Sequence, residues 1–322
     1  MAQIHASSNL DSTALAICMT VKHKHFLIIS DIEGSSLCRN YEMSSFMTDS
    51  WPEACLGMSL DVSAVVNALF NAGAESITIK DFHRTGYNII PEYINPKARL
   101  VHGYKVGPVP GIGNPKPATA ALMIGMHAPS GSGGFLAHTL TSRIARLEVN
   151  GELMSEAQLF SASLAPYGIC PVFFSGCPVA CHQALQHLEG ISCYPINKAE
   201  SGKNFDSDSW RHGLAKAAVD SLETQYYHPY LPKGPFHAAV TMRDGESVAQ
   251  ALAKRWKLKA NGATIIINSK DIHQLYDKLM KLCYLTPLTQ KIIHLGIHLF
   301  NARGKYGLWW VKQQLIKHPP QI

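Results

Sequence analysis

The sequence predicts an α/β protein with a mostly parallel central sheet, flanking helices and a second, smaller α/β domain. Three short apolar runs in the first 130 residues, HFLIIS, SITIK and AALMIG, are each followed by an acid or a histidine. Runs of this length and β-branched content, interrupted by glycine and polar residues, are typical of buried parallel strands. Between the first two runs, apolar residues recur at the spacing of a helix, which predicts a strand–helix–strand unit.

The first 200 residues divide into alternating strands and helices. Strand 26–30 is followed by a long polar and aromatic connection over 35–57, and apolar residues at helical spacing predict a helix over 59–72 that ends at Gly73. Further strands are predicted at 76–80, 119–125, 143–149 and 171–176, with helices over 155–164 and 178–188. We assign residues 1–24 to an N-terminal extension and residues 25–200 to a metal-binding α/β domain.

The second part of the chain starts after a polar, turn-rich stretch at 197–209. Helices are predicted over 210–223, 246–256 and 271–282, and strands over 237–242 and 263–268. We assign residues 201–285 to the smaller α/β domain and residues 286–322 to a basic amphipathic C-terminal tail.

Composition and charge exclude several classes of protein. Hydrophobic residues at 46% and charged residues at 16% are typical of a soluble globular protein, and no continuous apolar stretch reaches the roughly 18 residues of a membrane span. The apolar run near the N-terminus precedes the first lysine, the wrong order for an export signal, so we expect a cytoplasmic protein.

The net charge of +6 comes from residues 278–322, which carry seven Lys and Arg and no acid. The rest of the chain is therefore not a basic surface for nucleic acid.

The tail has two alternative partners. It combines Leu, Ile, Phe and two Trp with basic charge alone. A helix of this kind can lie on an anionic membrane surface or dock onto a neighbouring subunit, and we favour the neighbouring subunit.

Acids and histidines follow three of the predicted strands. Asp31 and Glu33 come after the first strand, His83 after the second and His127 after the third. In open α/β sheets, ligands bind beyond the carboxyl ends of the strands, and mixed carboxylate and imidazole ligands suit zinc and neighbouring divalent ions. We therefore predict a divalent-metal site. It needs a further carboxylate, for which the candidates are Glu148, Glu152 and Glu156.

Five short blocks have a recognisable order and spacing: SDIEG at 30–34, KDFH at 80–83, GMHA at 125–128, AHT at 137–139 and VNGELMSE at 149–156. Together they resemble the zinc-dependent D-aminopeptidases of bacterial dipeptide operons. The similarity covers roughly residues 25–285, and the two ends of the chain have no counterpart.

The resemblance implies a metallo-aminopeptidase that releases N-terminal D-amino acids from short peptides by a metal-activated water. It implies a catalytic role for His138 and two zinc ions per subunit, with Asp31 bridging them. The implied metal ligands are Asp31, Glu33, His83, His127 and Glu156. It also implies a homo-oligomer, which is ring-shaped in the family. The alternative is a catalytically silent relative or one of different specificity, an amidohydrolase or a binding or scaffold protein, that uses the fold and the basic tail for interactions.

Overall fold

A computed structural model describes residues 23–198, 205–223 and 227–319 of the 322-residue chain. The strands are β1 (His25–Ser30), β2 (Ser76–Asp81), β3 (Arg99–Val101), β4 (Ala120–Met126), β5 (Ile144–Val149), β6 (Glu152–Leu153), β7 (Cys170–Gly176), β8 (Ser192–Pro195), β9 (Phe236–Met242), β10 (Lys259–Asn261) and β11 (Thr264–Ser269). The helices are α1 (Trp51–Asn71), α2 (Glu156–Leu164), α3 (Pro178–His187), α4 (Ser207–Asp220), α5 (Glu246–Trp256), α6 (Ile272–Tyr284), α7 (Pro287–Lys291) and α8 (Ile293–Lys317). Most of the predicted N-terminal extension, residues 1–22, lies outside the described residues.

Six strands form a parallel sheet in the order β3-β2-β1-β4-β7-β8. On β1, Phe26 and Ile28 belong to the apolar core on one face of this sheet, while Leu27 and Ile29 belong to the core on the other face. Burial on both faces explains why these strands are continuous apolar runs in the sequence. The predicted α/β class with a mostly parallel central sheet is confirmed.

A second sheet is antiparallel, with five strands in the order β10-β11-β9-β5-β6. One apolar cluster joins it to the parallel sheet and includes Leu27, Leu147 and Val240. Strands β5 and β6 come from the segment before residue 200, so the second sheet is not built from residues 201–285 alone. The division of the chain into domains stays a prediction.

Helix α1 begins at Trp51, earlier than the predicted start at residue 59. Pro52 stands in its first turn, where a missing N–H leaves no hydrogen bond unmade. Gly57 marks a close approach inside the helix, since a Cβ there would lie 2.7 Å from the Cβ of Leu37. The prediction that residues 51–57 belong to the connection is therefore wrong, because they form the first turns of α1.

Within the described residues, α1 is the one helix long and apolar enough to cross a bilayer, and 61% of its most apolar stretch is buried inside the protein.

The C-terminal segment folds back onto its own chain. In α8, Leu308 and Val311 are buried in the same apolar cluster as Trp51 of α1. The indole of Trp310 stacks on that of Trp51 with ring centroids 6.2 Å apart. Packing within the chain was not among the alternatives predicted for the tail, and it leaves the outer face of α8 exposed at residues such as Leu299.

Candidate metal centre

The centre lies at the carboxyl ends of three neighbouring strands of the parallel sheet. Asp31 directly follows β1, His83 follows β2 after one intervening residue, and His127 directly follows β4. Strand β1 lies between β2 and β4, at the position where chain connections run outward in both directions and where ligands bind in such sheets. The strand order thus brings the three side chains to one edge.

Asp31, Glu33 and His83 form a first group of donor atoms. His83 Nδ1 lies 2.8 Å from Asp31 Oδ1 and 3.0 Å from Glu33 Oε2. All three residues are buried, and one nitrogen or oxygen of each lies within 4.8 Å of the others. Gly34 lets this loop rest against β4, because a Cβ there would lie 2.6 Å from the carbonyl carbon of Gly125.

His127, His138 and Glu156 form a second group, also with donor atoms within 4.8 Å of one another. The two imidazole rings stack with centroids 3.7 Å apart, and His127 Nε2 lies 3.5 Å from Glu156 Oε1. Glu156 is the first residue of α2, whose N-terminus is closed by a capping box of Ser155 and Gln158. The position of the carboxylate is therefore set by the helix start.

The Asp31 carboxylate faces both groups. Its Oδ1 lies 2.8 Å from His83 Nδ1, and its Oδ2 lies 3.3 Å from His127 Nε2. The backbone N–H of Ile32 donates to Oδ1 at 2.8 Å, which fixes the orientation of the carboxylate. A single carboxylate with one oxygen toward each group has the geometry of a bridging ligand.

Each of the three imidazoles has one ring nitrogen against a backbone carbonyl. The pairs are His83 Nε2 with Ser44 O at 2.7 Å, His127 Nδ1 with Ala128 O at 3.1 Å and His138 Nδ1 with Leu136 O at 2.8 Å. A carbonyl oxygen only accepts, so these nitrogens carry the hydrogen and, in the neutral ring, the other nitrogen offers a lone pair. This arrangement is typical of metal-binding histidines.

Burial and charge act in opposite directions on these groups. Burial alone would raise the pKa of Asp31 and of Glu156, but the neighbouring imidazoles hold both pKa values below their ordinary range. Burial alone would lower the pKa of His83, but Glu33 and Asp31 raise it to about 10. The pKa of His127 is raised in the same way by Glu156 and Asp31. Asp31 and Glu156 are therefore ionised and favour positive charge in the centre.

Two buried ligand atoms of the centre, Glu33 Oε2 and His127 Nε2, make no hydrogen bond of good geometry. Their nearest polar contacts are ion pairs within the centre, Glu33 with His83 and His127 with Asp31 and Glu156, and coordination to a cation would satisfy both atoms directly. Carboxylate oxygens and imidazole nitrogens in two groups, with one carboxylate facing both, match the preferences of zinc and related divalent ions. The residues present fit a bound metal.

The remaining acids considered from the sequence lie elsewhere. Glu148 pairs with Arg146 at 2.7 Å, and the Glu152 side chain is 74% exposed. Asp81, next to the centre in sequence, accepts hydrogen bonds from the backbone N–H groups of Asn88 and Ile89. Of the three candidate glutamates, the structure brings only Glu156 into the centre.

A cavity of about 1150 Å³ opens onto the centre. Sequence reasoning missed several residues around it. The carbonyl of Ser44 accepts from both His83 and the Nε of Arg84, at 2.7 and 2.8 Å, but a backbone contact of this kind leaves no side-chain signal. Helix α8 also lines part of the cavity. Its apolar residues predict that one face of the helix is buried, but they do not predict which part of the protein that face contacts.

Comparisons with known proteins bear on the family and the fold. The family model Peptidase_M55, described as D-aminopeptidase, matches residues 25–281. Among solved structures, the chain is similar to the Zn-dependent D-aminopeptidase DppA from Bacillus subtilis, described as a self-compartmentalizing protease. The TM-score is 0.73 and the identity 16%, over 81% of this chain and 97% of that chain. No curated protein matches. The family match confirms the resemblance predicted from the five blocks, and the structural likeness supports the fold.

Proposed function

The chain belongs to the Peptidase_M55 family of D-aminopeptidases, and on this premise we propose that it holds two zinc ions and releases N-terminal D-amino acids from short peptides. Membership makes the chain a metallo-aminopeptidase. The number and identity of the metal ions, the ligand set and the substrate class are the proposal.

One observation carries the proposal: in His83 and His127 one ring nitrogen lies against a backbone carbonyl, and the second ring nitrogen faces the carboxylates of the centre. We assign Asp31, Glu33 and His83 to one ion, and Asp31, His127 and Glu156 to the other, with Asp31 shared. Glu33 Oε2 and His127 Nε2, which are buried and make no hydrogen bond of good geometry, would then coordinate the ions directly.

The chemistry follows from this assignment. Bound divalent metal would activate a water for attack and polarise the carbonyl of the scissile bond. His138 is assigned the transfer of a proton from the attacking water to the leaving amine, because its Nδ1 is occupied by the Leu136 carbonyl and its Nε2 is left to accept that proton and then donate it. The ring of His127 stacks against His138 and limits its rotation. His138 lines the cavity where a peptide would enter.

We also propose a homo-oligomer in the cytoplasm. The similar DppA is described as self-compartmentalizing, a property that requires several subunits around the active sites. Six cysteines of the described residues are free thiols, namely Cys38, Cys55, Cys177, Cys181, Cys193 and Cys283. Several free thiols in one chain are typical of a reducing compartment.

The first experiment is metal analysis coupled to hydrolysis of D- and L-alanyl amides. We expect two zinc ions per chain, hydrolysis of the D-amide in preference to the L-amide, and loss of activity on chelation. Asp31→Asn and His127→Ala are expected to reduce kcat by more than about 100-fold with the fold retained, since changes to residues behind the ligands already cost about 10–100-fold.

Glu156→Gln and Glu152→Gln form a matched pair, because both lie in the same family block but only Glu156 is in the centre. We expect zinc loss in Glu156→Gln alone. Full activity after chelation, or equal effects of the two substitutions, would contradict the assignment and favour a catalytically silent relative.

A further inference from the structure

We propose that helix α8 forms one wall of the substrate cavity, and that Arg303 on this wall binds the terminal carboxylate of a short peptide whose apolar side chain packs against Ile297 and Phe300. This inference rests on the proposed function and names the substrate class of the same site. The wall lies beyond residue 281, where the family match ends.

The cavity joins the metal centre to the C-terminal helix. It is lined by His83, His138 and Glu156 from the centre and by five residues from α8. Those five are Ile293, Gly296, Ile297, Phe300 and Arg303. Their spacing follows one face of a helix. A volume of about 1150 Å³ is slightly above the usual range of small-molecule pockets and accommodates a peptide of a few residues.

The second half of α8 fixes this wall to the body of the protein. Gly304 lies so close to Tyr87 that a Cβ would overlap its ring, and a Cβ on Gly307 would lie 2.7 Å from the ring of Phe46. Asn301 Oδ1 accepts a hydrogen bond from the backbone N–H of Tyr104 at 3.2 Å. The cavity wall is therefore held in place at residues 301–311 and is not a loosely attached extension.

The first half of α8 contrasts with this anchored part. Ile293 and Ile297 are only half-buried, and Phe300 is 37% exposed although its ring meets that of Tyr104 edge-on at 5.9 Å. Their exposed apolar surface faces the cavity. Contact with an apolar side chain of the substrate would remove that surface from water, at about 25 cal/mol per Å².

The charges around the cavity are arranged in two sets. The acids Asp31, Glu33 and Glu156 belong to the metal centre, while five basic residues also line the cavity: Arg84, Lys105, Arg243, Lys281 and Arg303. Within the described residues, only Lys281 of these five is in an ion pair with a carboxylate, that of Asp277 at 2.6 Å. The other four have no carboxylate partner among the described residues, although Arg84 and Arg243 each donate through Nε to a backbone carbonyl.

Arg303 is the basic residue that α8 itself contributes. Its Cζ lies 4.7 Å from the ring centroid of Phe46, so the guanidinium is held flat over an aromatic face. A guanidinium held in this way keeps its N–H groups free for two parallel hydrogen bonds to a carboxylate. An aminopeptidase holds the N-terminal amine and scissile bond at its metal centre, and a short substrate then ends in a carboxylate at the basic side of the cavity.

The test compares D-alanyl-D-leucine with its C-terminal amide on the full chain, Arg303→Met and Lys305→Met. Lys305 is an exposed residue of the same helix that does not line the cavity, so it controls for loss of charge. We expect the full chain and Lys305→Met to prefer the free acid. In Arg303→Met, we expect kcat/KM for the acid to fall about 10- to 100-fold through KM, as for loss of a charged hydrogen bond, with the amide unaffected.

A second readout separates the two proposals. Calorimetry measures the affinity of the same acid and amide for the metal-depleted chain, in which no hydrolysis is expected. If the metal-depleted chain binds the acid more tightly than the amide, and only Arg303→Met abolishes this preference, the carboxylate contact is supported. If the metal-loaded chain nevertheless hydrolyses neither compound, the proposed function is overturned and the role of Arg303 stands. The role of Arg303 would be overturned if the full chain bound and hydrolysed the acid and the amide equally. It would also be overturned if Arg303→Met and Lys305→Met had equal effects.

Discussion

Replacing Gly304 by alanine tests whether α8 is tightly packed on the body of the protein. The added Cβ would overlap the ring of Tyr87, which is 7% exposed and stacks on His102 with centroids 5.0 Å apart. The ring therefore has little room to move. Gly296 on the same helix is the matched control, because a Cβ there meets no atom within 4 Å.

The expected magnitude follows from two opposing effects. Alanine is better than glycine in a helix by about 0.8–1.0 kcal/mol, and this gain applies equally to both variants. Overpacking costs about 1–3 kcal/mol and applies at Gly304 alone. We therefore expect Gly296→Ala to be slightly more stable than the unmodified chain, and Gly304→Ala to be less stable than Gly296→Ala by about 1–3 kcal/mol.

Urea denaturation gives the global free energy of unfolding, and limited trypsin digestion reports on α8 itself. Trypsin is expected to cleave after Arg303 and Lys305 faster in Gly304→Ala than in Gly296→Ala. Equal stability and equal cleavage of the two variants would refute the tight contact with Tyr87, and with it the fixed wall of the cavity.

Chelation of the metal is expected to lower the melting temperature in thermal denaturation, because a ligand at about 1,000 times its Kd contributes about 4 kcal/mol to stability; an unchanged melting temperature would argue against a metal in the centre. Zinc affinity, measured by calorimetry, is expected to fall as pH falls, since the metal-free chain raises the pKa of His83 to about 10 and the bound proton must leave before the nitrogen can coordinate. Affinity independent of pH between 6 and 8 (roughly the neutral range) would contradict this. Asp81→Asn is expected to lower the free energy of unfolding by about 2–3 kcal/mol through loss of hydrogen bonds to the backbone of Asn88 and Ile89, with zinc content unchanged. Loss of zinc in this variant would mean that Asp81 supports the metal centre after all.

The strand ends of the centre could be predicted from the sequence because their signals are local. The apolar runs before Asp31, His83 and His127 are continuous, as expected for strands buried on both faces, and parallel pairing then brings their ends together. The roles assigned to these residues stay predictions, although the structure brings all five proposed ligands and His138 to one place.

Features that depend on distant partners could not be predicted. The start of α1 was missed because Gly57 belongs to a close contact with Leu37, and a glycine of this kind looks like a loop residue in the sequence. The pairing of β5 with β9 joins residues far apart in the sequence, such as Ile144 and Met242, which are 98 positions apart, and no local pattern indicates such pairing.

The C-terminal helix shows the same limit and has a functional consequence. Its apolar stripe predicted a buried face but not that half of the stripe meets α1 and half meets the cavity. The metal donors all lie within residues 25–281, whereas the wall comes from residues 293–303. Chemistry and recognition therefore depend on separate parts of the chain. On the proposed assignment, we expect a change at Asp31 to remove both metal and turnover. We expect a change at Arg303 to remove only the preference for a free terminal carboxylate, so the two properties can vary independently.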